Sequence, residues 1–323
     1  AYASFLSMDS PCQMSKSQIV IVARHPVGGI RTYFKYVYAH PAFDKFDFVL
    51  IAPDTQLADY VKDVFKGKSF EYVPIADSNK AMLEATWRVL KDRKPQLLHT
   101  HGFTSGLLSA PVARLLGIRH LMTAHDVILD WQYVGPLGRF KKHAIGLGFR
   151  LIDVLMAVGE DARLNLAQNY PYFSERPDRL VAIRNGIDVA RFESAQRRDL
   201  HGELGLDTDV ILLGFFGRFM SQKGFRHLVN VVEILATTRP DLKLRVAAFG
   251  WGGFIREEQA YLKEKTLDHL FHFMPHTDDM PAAIRGVDAV VMPSLWEACP
   301  LLPMEALCAG VPVIASDCIG LKE

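Results

Sequence analysis

The sequence contains few cysteines and no long apolar run. Its four cysteines, Cys12, Cys299, Cys308 and Cys318, include no C-x-x-C pair, which argues against a zinc cluster and favours reduced thiols. No uncharged apolar stretch approaches the roughly 20 residues of a membrane-spanning helix. Residues 1–14 also lack the basic and then apolar order of a signal peptide. These absences predict a cytoplasmic protein.

Net charge is almost absent as well. The 37 Lys and Arg residues and the 36 Asp and Glu residues leave a formal charge of +1. Because no overall field would attract nucleic acid, we expect no nucleic-acid partner, and an anionic ligand must bind at a local site. A hydrophobic content of 49% and a length of 323 residues are typical of a globular protein with two domains.

Short β-branched runs alternate with helical patterns along the chain. Unalternating apolar runs of this length are typical of strands buried on both faces of a parallel sheet. The predicted strands are residues 18–23, 48–52, 96–100, 121–124 and 154–158, then, after a loop at 171–177, residues 180–184, 210–216, 244–249, 269–273, 289–292 and 311–315. We therefore predict two Rossmann-like doubly wound α/β domains, residues 1–178 and 179–323, facing a central cleft.

Two motifs at strand–helix junctions could bind an anion. Gly28 and Gly29 follow the first strand, where they either let the backbone approach a ligand closely or form a plain tight turn. Arg218 and Lys223 stand five residues apart between a strand and the next helix. They either clamp a diphosphate or remain solvated loop cations.

Two glutamates form a third motif. Glu297 follows a predicted strand, and Glu305 lies in the first turn predicted to start near Pro303. Carboxylates accept paired hydrogen bonds from vicinal diols, so ribose and hexose are natural ligands. The alternative for Glu305 is a favourable interaction with the helix dipole alone.

These motifs belong to a larger set spread over most of the chain. The set comprises Gly28-Gly29, His99-Thr-His101, Thr123-Ala-His125, Asn185-Gly-Ile-Asp188 with Phe192, Gly217-Arg218 with Lys223-Gly224, Pro293-Ser294, Glu297-x7-Glu305-Ala306, Gly310 to Asp317 and Gly320-Leu-Lys-Glu323. In this order and spacing the chain resembles the retaining glycosyltransferases of family 4, which have the GT-B fold. The resemblance implies transfer of a sugar from a UDP-, GDP- or ADP-sugar to a saccharide or lipid-linked saccharide, without a metal or other cofactor.

The resemblance also implies roles for the cations and carboxylates. Arg218 and Lys223 would hold the donor diphosphate. Glu305 would bind the nucleotide ribose, and Glu297 the hydroxyls of the transferred sugar. Gly28 and Gly29 would approach the diphosphate from the N-terminal domain.

Further roles fall on backbone groups and histidines. His125 would lie near the reacting carbon and the leaving phosphate, and His101 is a weaker candidate on the acceptor side. The remaining donor contacts would come from the backbone, with the amides of Leu301 and Leu302 touching phosphate or sugar and the segment around Met274 and Pro275 flanking the base.

The chain departs from the family pattern after Glu297. The family often has Gly-Phe-Gly there, whereas this chain has Ala298-Cys299-Pro300, and Pro300 offers no N–H to a ligand. Gln222 also replaces a frequent glutamate. The first departure leaves the identity of the donor sugar open. Asp207-Thr-Asp209 matches a metal motif of another glycosyltransferase fold, but we interpret it as an ordinary turn ahead of a strand.

A basic amphipathic helix is predicted near residues 139–150. Phe140, Ala144, Leu147 and Leu151 share one helical face, and the basic residues in the same segment are Arg139, Lys141, Lys142 and Arg150. The apolar face either packs in the core or rests on a membrane. In the second case the protein would work at the inner face of the cytoplasmic membrane.

Three other functions remain open. The same fold could support a nucleotide-sugar epimerase or a non-catalytic binding subunit. The glycines in residues 249–254 could indicate a nicotinamide-dependent oxidoreductase, although the full G-x-G-x-x-G is missing.

Because an α/β sheet needs helices on both faces, we also expect the native chain to continue beyond Glu323, with a last helix that returns to the N-terminal domain.

Overall fold

The computed structural model describes residues 17–53 and 57–323, and its strands form two parallel sheets covered by helices. The α/β prediction is confirmed. Cys12 and the segment 1–14 considered for a signal peptide lie outside the described residues.

The first sheet has seven strands in the order β3-β2-β1-β4-β5-β6-β7. Its central strands are continuous apolar runs because both faces are covered, and Val20, Ile21 and Val22 are fully buried. The strands are β1 Ser17–Ala23, β2 Phe46–Pro53, β3 Phe70–Ile75, β4 Leu97–His101, β5 Arg119–Ala124, β6 Val154–Ala157 and β7 Leu180–Ala182. The helices are α1 Gly29–Tyr33, α2 Ala58–Val64, α3 Asn79–Arg93, α4 Phe103–Leu116, α5 Gly135–Phe149, α6 Glu160–Asn169 and α7 Tyr172–Glu175.

The second sheet has five strands in the order β10-β9-β8-β11-β12. Its strands are β8 Ile211–Phe216, β9 Leu244–Phe249, β10 Phe271–Met274, β11 Ala289–Met292 and β12 Val313–Ala315. The helices of this half are α8 Val189–Glu193, α9 Leu200–Leu204, α10 Phe225–Thr238, α11 Ile255–Glu264, α12 Met280–Arg285 and α13 Leu302–Cys308.

The assignment of strand 180–184 to the second sheet was wrong. The observed strand, β7, pairs in parallel with β6 at the edge of the first sheet, with Leu180 opposite Leu155. Leu180 is buried in the same apolar cluster as Leu155 and Phe173. Helices α6 and α7 therefore act as one more crossover of the first sheet, and an alternating pattern alone does not tell which sheet an edge strand joins.

Both sheets reverse their strand order beside a central strand, at β1/β4 and at β8/β11. Ligands of open α/β sheets bind outside the carboxyl ends of the strands at this point. The two reversal points line one cleft of about 970 Å³, which residues such as Gly28, His101, Gly217 and Pro293 border. Among the described residues, no helix is long and apolar enough to cross a bilayer.

Candidate active site in the cleft

The cleft brings together all but one of the residues for which donor, catalytic or acceptor-side roles were predicted. The residues that line it are Gly28, Gly29, His101, His125, Arg218, Lys223, Pro275, Glu297, Leu301, Leu302 and Glu305. Met274 is the exception, because its side chain packs against the apolar cluster under the second sheet.

Lys223 and Glu297 form an ion pair at the floor of the cleft. The Lys223 Nζ lies 2.6 Å from Glu297 Oε1, which also accepts a hydrogen bond from the Ser294 hydroxyl at 2.7 Å. Glu297 is only 5% exposed, and the Lys223 side chain is 23% exposed. Lys223 was predicted either to hold a diphosphate or to remain a solvated loop cation, whereas in the structure it is the partner of a buried carboxylate.

The backbone after Lys223 requires glycine. Gly224 has a φ of +63°, and a Cβ added there would lie 1.9 Å from the carbonyl oxygen of Pro293. This close approach lets the start of α10 pack directly on the end of β11. The loop carrying Lys223 is thereby held against the loop carrying Ser294 and Glu297.

Asp126 is a cleft residue that sequence reasoning missed. It follows His125 directly after β5 and lines the cleft. Reduced hydration raises its pKa and nearby Glu297 adds to this, whereas the Val127 amide, Arg218 and Lys223 lower it. A carboxyl group of the first sheet thus faces the charged groups of the second. Asp126 could have been identified from the sequence, because it directly follows a motif at the end of a strand.

Glu305 sits in the first turn of α13, as the sequence predicted, with proline next to the helix start. Burial raises the pKa of Glu305 to about 7, and the guanidinium of Arg191 acts in the opposite direction. The carboxyl group is therefore poised between its neutral and charged forms near neutral pH. Arg191, from α8, lies directly before Phe192 of the Asn185 to Phe192 motif, and this position was the signal that could have identified it.

His125 and His101 are hydrogen-bonded to each other. His125 Nε2 lies 2.9 Å from His101 Nδ1. Burial lowers the pKa of His125 to about 4 and that of His101 well below its ordinary value, so both imidazoles are neutral at pH 7. His125 can offer its remaining ring nitrogen, Nδ1, to a ligand as a neutral donor or acceptor.

Two other motifs have structural explanations. Asp207 and Asp209 lie just before β8, at the edge of the sheet opposite the cleft, and Asp209 forms a 2.7 Å ion pair with Lys243. Gly250 follows β9, where an added Cβ would lie 1.8 Å from the carbonyl oxygen of Gly217. Gly252 is likewise required by packing, because its added Cβ would lie 2.5 Å from the carbonyl oxygen of Phe219. No three His, Cys, Asp or Glu side chains in the described part of the chain form a metal-binding group.

The chain is similar to known glycosyltransferases along most of its length. Residues 27–191 match the model of glycosyltransferase family 4, and residues 211–323 match that of glycosyl transferases group 1. The α-maltose-1-phosphate synthase of Mycolicibacterium smegmatis is 26% identical over 77% of this chain and 66% of its own length. The UDP-Gal:α-D-GlcNAc-diphosphoundecaprenol α-1,3-galactosyltransferase of Escherichia coli is 24% identical over 86% of this chain and 73% of its own length.

A solved structure agrees with the fold. The structure of Anabaena Alr3699/HepE in complex with UDP-glucose superposes with a TM-score of 0.76 at 15% identity, covering 94% of this chain and 82% of that chain. Since the family 4 model spans more than half of the chain and the two facing sheets reproduce this architecture, the chain belongs to glycosyltransferase family 4 and has the GT-B fold.

Proposed function

We propose that this protein transfers a sugar from a nucleotide-sugar donor to an acceptor hydroxyl, with retention of the anomeric configuration. The observation that carries this proposal is the convergence of Arg218, Lys223, Glu297 and Glu305 on one cleft between the carboxyl ends of both sheets. Two cations fit a diphosphate, and two carboxylates fit the diols of a ribose and a hexose.

The reaction follows from these charges. The bond between the anomeric carbon and the phosphate oxygen breaks, and negative charge builds on the leaving diphosphate. Arg218 and Lys223 stabilise this charge, while the sugar hydroxyls donate to Glu297 and leave Lys223 free to turn toward phosphate. The acceptor oxygen forms the new bond on the face from which the diphosphate leaves, and its proton passes to the leaving phosphate oxygen. No protein nucleophile is needed.

We propose that the nucleotide of the donor is UDP. The Anabaena structures contain UDP, UDP-glucose, or UDP with glucose, and the E. coli relative is named for UDP-Gal. A panel of UDP-, GDP- and ADP-sugars is expected to raise the unfolding temperature only for the matching base, because a bound ligand stabilises the folded state. Transfer from that sugar to added saccharides then tests the reaction.

The same panel, with NAD added and with the products of turnover measured, distinguishes the other functions. An epimerase would release nucleotide and an altered sugar without any acceptor. A nicotinamide-dependent enzyme would be stabilised by NAD and not by nucleotide sugars. A non-catalytic subunit would bind the nucleotide sugar and turn over none of it.

Transfer is expected to continue in EDTA. We propose that Arg218 and Lys223 supply the charge stabilisation that a divalent ion supplies in metal-dependent transferases, so removing metal leaves the rate within about twofold. The measurement is the initial rate with and without EDTA after dialysis. Complete loss on chelation that manganese or magnesium restores would contradict this assignment.

We also propose that the protein contacts an anionic membrane through α5 and the turn before it. Of the predicted apolar face, Phe140, Ala144 and Leu147 are exposed, whereas Leu151 packs against the core of the first sheet. Five apolar residues between 49% and 81% exposed line the outer surface, namely Trp131, Val134, Leu137, Phe140 and Leu147. Exposed Arg139, Lys141 and Arg150 accompany them. Apolar side chains flanked by cations suit a headgroup boundary, and the name of the E. coli relative specifies a diphosphoundecaprenol-linked acceptor.

Leu137→Glu is expected to weaken binding to vesicles of anionic phospholipid at least tenfold, because it replaces an inserting side chain with a charge of the membrane's own sign. Leu115→Glu is the matched control, since Leu115 is also a helical leucine in the first half of the chain and is 73% exposed. Cosedimentation with vesicles measures both. Equal binding by the two variants would show that this surface does not contact the membrane.

A further inference from the structure

A buried chain of hydrogen bonds leads from the first sheet to His125. Its centre is the Tyr38 hydroxyl, which lies 2.6 Å from His99 Nδ1 and 2.7 Å from His101 Nε2. At one end, His99 Nε2 lies 2.7 Å from Thr123 Oγ1. At the other end, His101 Nδ1 lies 2.9 Å from His125 Nε2.

His101 was predicted as a weak candidate on the acceptor side, and Tyr38 had no predicted role. Yet Tyr38, His99, His101 and Thr123 are between 0% and 5% exposed, so none of them is placed to meet an acceptor in bulk solvent. Tyr38 closes a π-helical turn, Phe34–Tyr38, that continues α1. Such turns occur frequently at functional sites, and this one aims the tyrosine ring inward.

The imidazoles in this chain are neutral. Burial lowers the pKa of His99 to about 3 and of His125 to about 4, and it lowers that of His101 well below its ordinary value. Each ring therefore has one N–H and one lone pair. The Tyr38 hydroxyl has a single proton, so it donates to one histidine and accepts from the other.

These constraints leave two arrangements of the protons. If Tyr38 donates to His101, then His101 Nδ1–H donates to His125 Nε2, and His125 carries its hydrogen on Nδ1. If Tyr38 donates to His99, every bond reverses, and His125 presents a lone pair on Nδ1. The tautomer of His125 is thus tied to the hydroxyl of Tyr38.

We propose that Tyr38 and His99 are positioning residues, which hold His125 so that its Nδ1–H faces the cleft when an anionic diphosphate is bound. Nε2 is engaged by His101, so Nδ1 is the nitrogen left for a ligand. An anion favours the arrangement that presents a donor. The catalytic consequence rests on the proposed function, whereas the tautomer can be observed in the protein alone.

The test is nitrogen-15 NMR of histidine-labelled protein, with and without UDP, using His125→Gln to assign the signals. Neutral Nδ1–H and Nε2–H forms have distinct nitrogen shifts. We expect UDP to leave His125 in the Nδ1–H form. In Tyr38→Phe the form should become mixed, and kcat should fall about tenfold or more with little change in donor KM, since a wrong tautomer impairs the chemical step.

Two controls keep the outcome clear. Tyr170→Phe also removes a buried tyrosine hydroxyl, but one without a hydrogen-bond partner, and it should change neither the tautomer nor kcat. If Tyr38→Phe does not fold, Thr123→Val and Thr123→Ser replace it, and only the valine variant should mix the tautomers. An Nε2–H form with UDP, or one Nδ1–H form in every variant, overturns the proposal. Absence of turnover with all nucleotide sugars instead overturns the proposed function and leaves the tautomer result standing.

Discussion

Lys223→Ala is expected to lower the rate of sugar transfer at least a hundredfold. The ammonium group lines the cleft, and with Arg218 it is one of the two cations that we propose hold the leaving diphosphate. Removing one preorganised donor of this kind costs about 2.7–4 kcal/mol in the transition state, or about 10²–10³ in kcat. The measurement is kcat for transfer from the matching nucleotide sugar, with Arg218→Ala in parallel.

The same substitution has a structural side effect. Glu297 is buried and 2.6 Å from Lys223, so Lys223→Ala leaves a carboxylate that keeps the hydrogen bond from the Ser294 hydroxyl and loses its cation. Breaking a buried pair costs about 3–5 kcal/mol of stability. The double variant Lys223→Ala/Glu297→Gln removes that buried charge and should recover most of the unfolding free energy while remaining inactive.

This pair of variants separates folding from function. Lys265→Ala is the matched control, because Lys265 pairs with Glu233 on the surface at 3.0 Å and lies outside the cleft lining. It should leave both stability and transfer nearly unchanged. A folded Lys223→Ala protein with normal turnover would remove the diphosphate clamp from the mechanism.

The placement of the cleft residues was predictable because parallel strands converge at their carboxyl ends. Arg218, Glu297 and His125 each follow a strand, so finding the strands placed them at one edge. Their pairing was not predictable. Lys223 and Glu297 are 74 residues apart, and no local pattern indicates that these two charged side chains pair.

Residues inside helices and at sheet edges were harder to predict. Tyr38 looks like an ordinary aromatic on a helical face, and only a π turn directs it to two histidines. Strand β3 contains Pro74, which interrupts the apolar pattern and is tolerated because the strand lies at a sheet edge. The apolar residues on the outer face of α5 recur with the same helical spacing as residues that face a core. Only their exposure in the structure showed that this face is turned toward solvent.

Glu305 is expected to give the ligand-free protein a dependence of stability on pH. Burial raises the pKa of Glu305 from its ordinary 4.5 to about 7. Between these pH values the folded chain keeps a proton that the unfolded chain releases. The free energy of unfolding therefore falls as pH rises from 4.5 through 7, by about 3 kcal/mol in all, and levels off at about pH 8 as far as this group is concerned.

Glu305→Gln is expected to separate the loss of stability on ionisation of this buried carboxyl group from its contribution to ligand binding. Glutamine keeps the shape and cannot ionise, so at pH 8 the ligand-free variant should be more stable than the wild type by up to about 3 kcal/mol, with no difference near pH 4.5. It should bind the donor about tenfold to a hundredfold more weakly, because hydrogen bonds to a charged group contribute about 1.5–3 kcal/mol. Urea unfolding at several pH values and calorimetric titration with UDP measure the two effects.

Glu264→Gln, at an exposed position at the end of α11, is the control and should change neither the stability nor the affinity for UDP. Parallel stability curves for Glu305→Gln and the wild type from pH 4.5 to 8 would show that the carboxyl group is not buried at a cost, and unchanged UDP affinity would remove it from the ribose site.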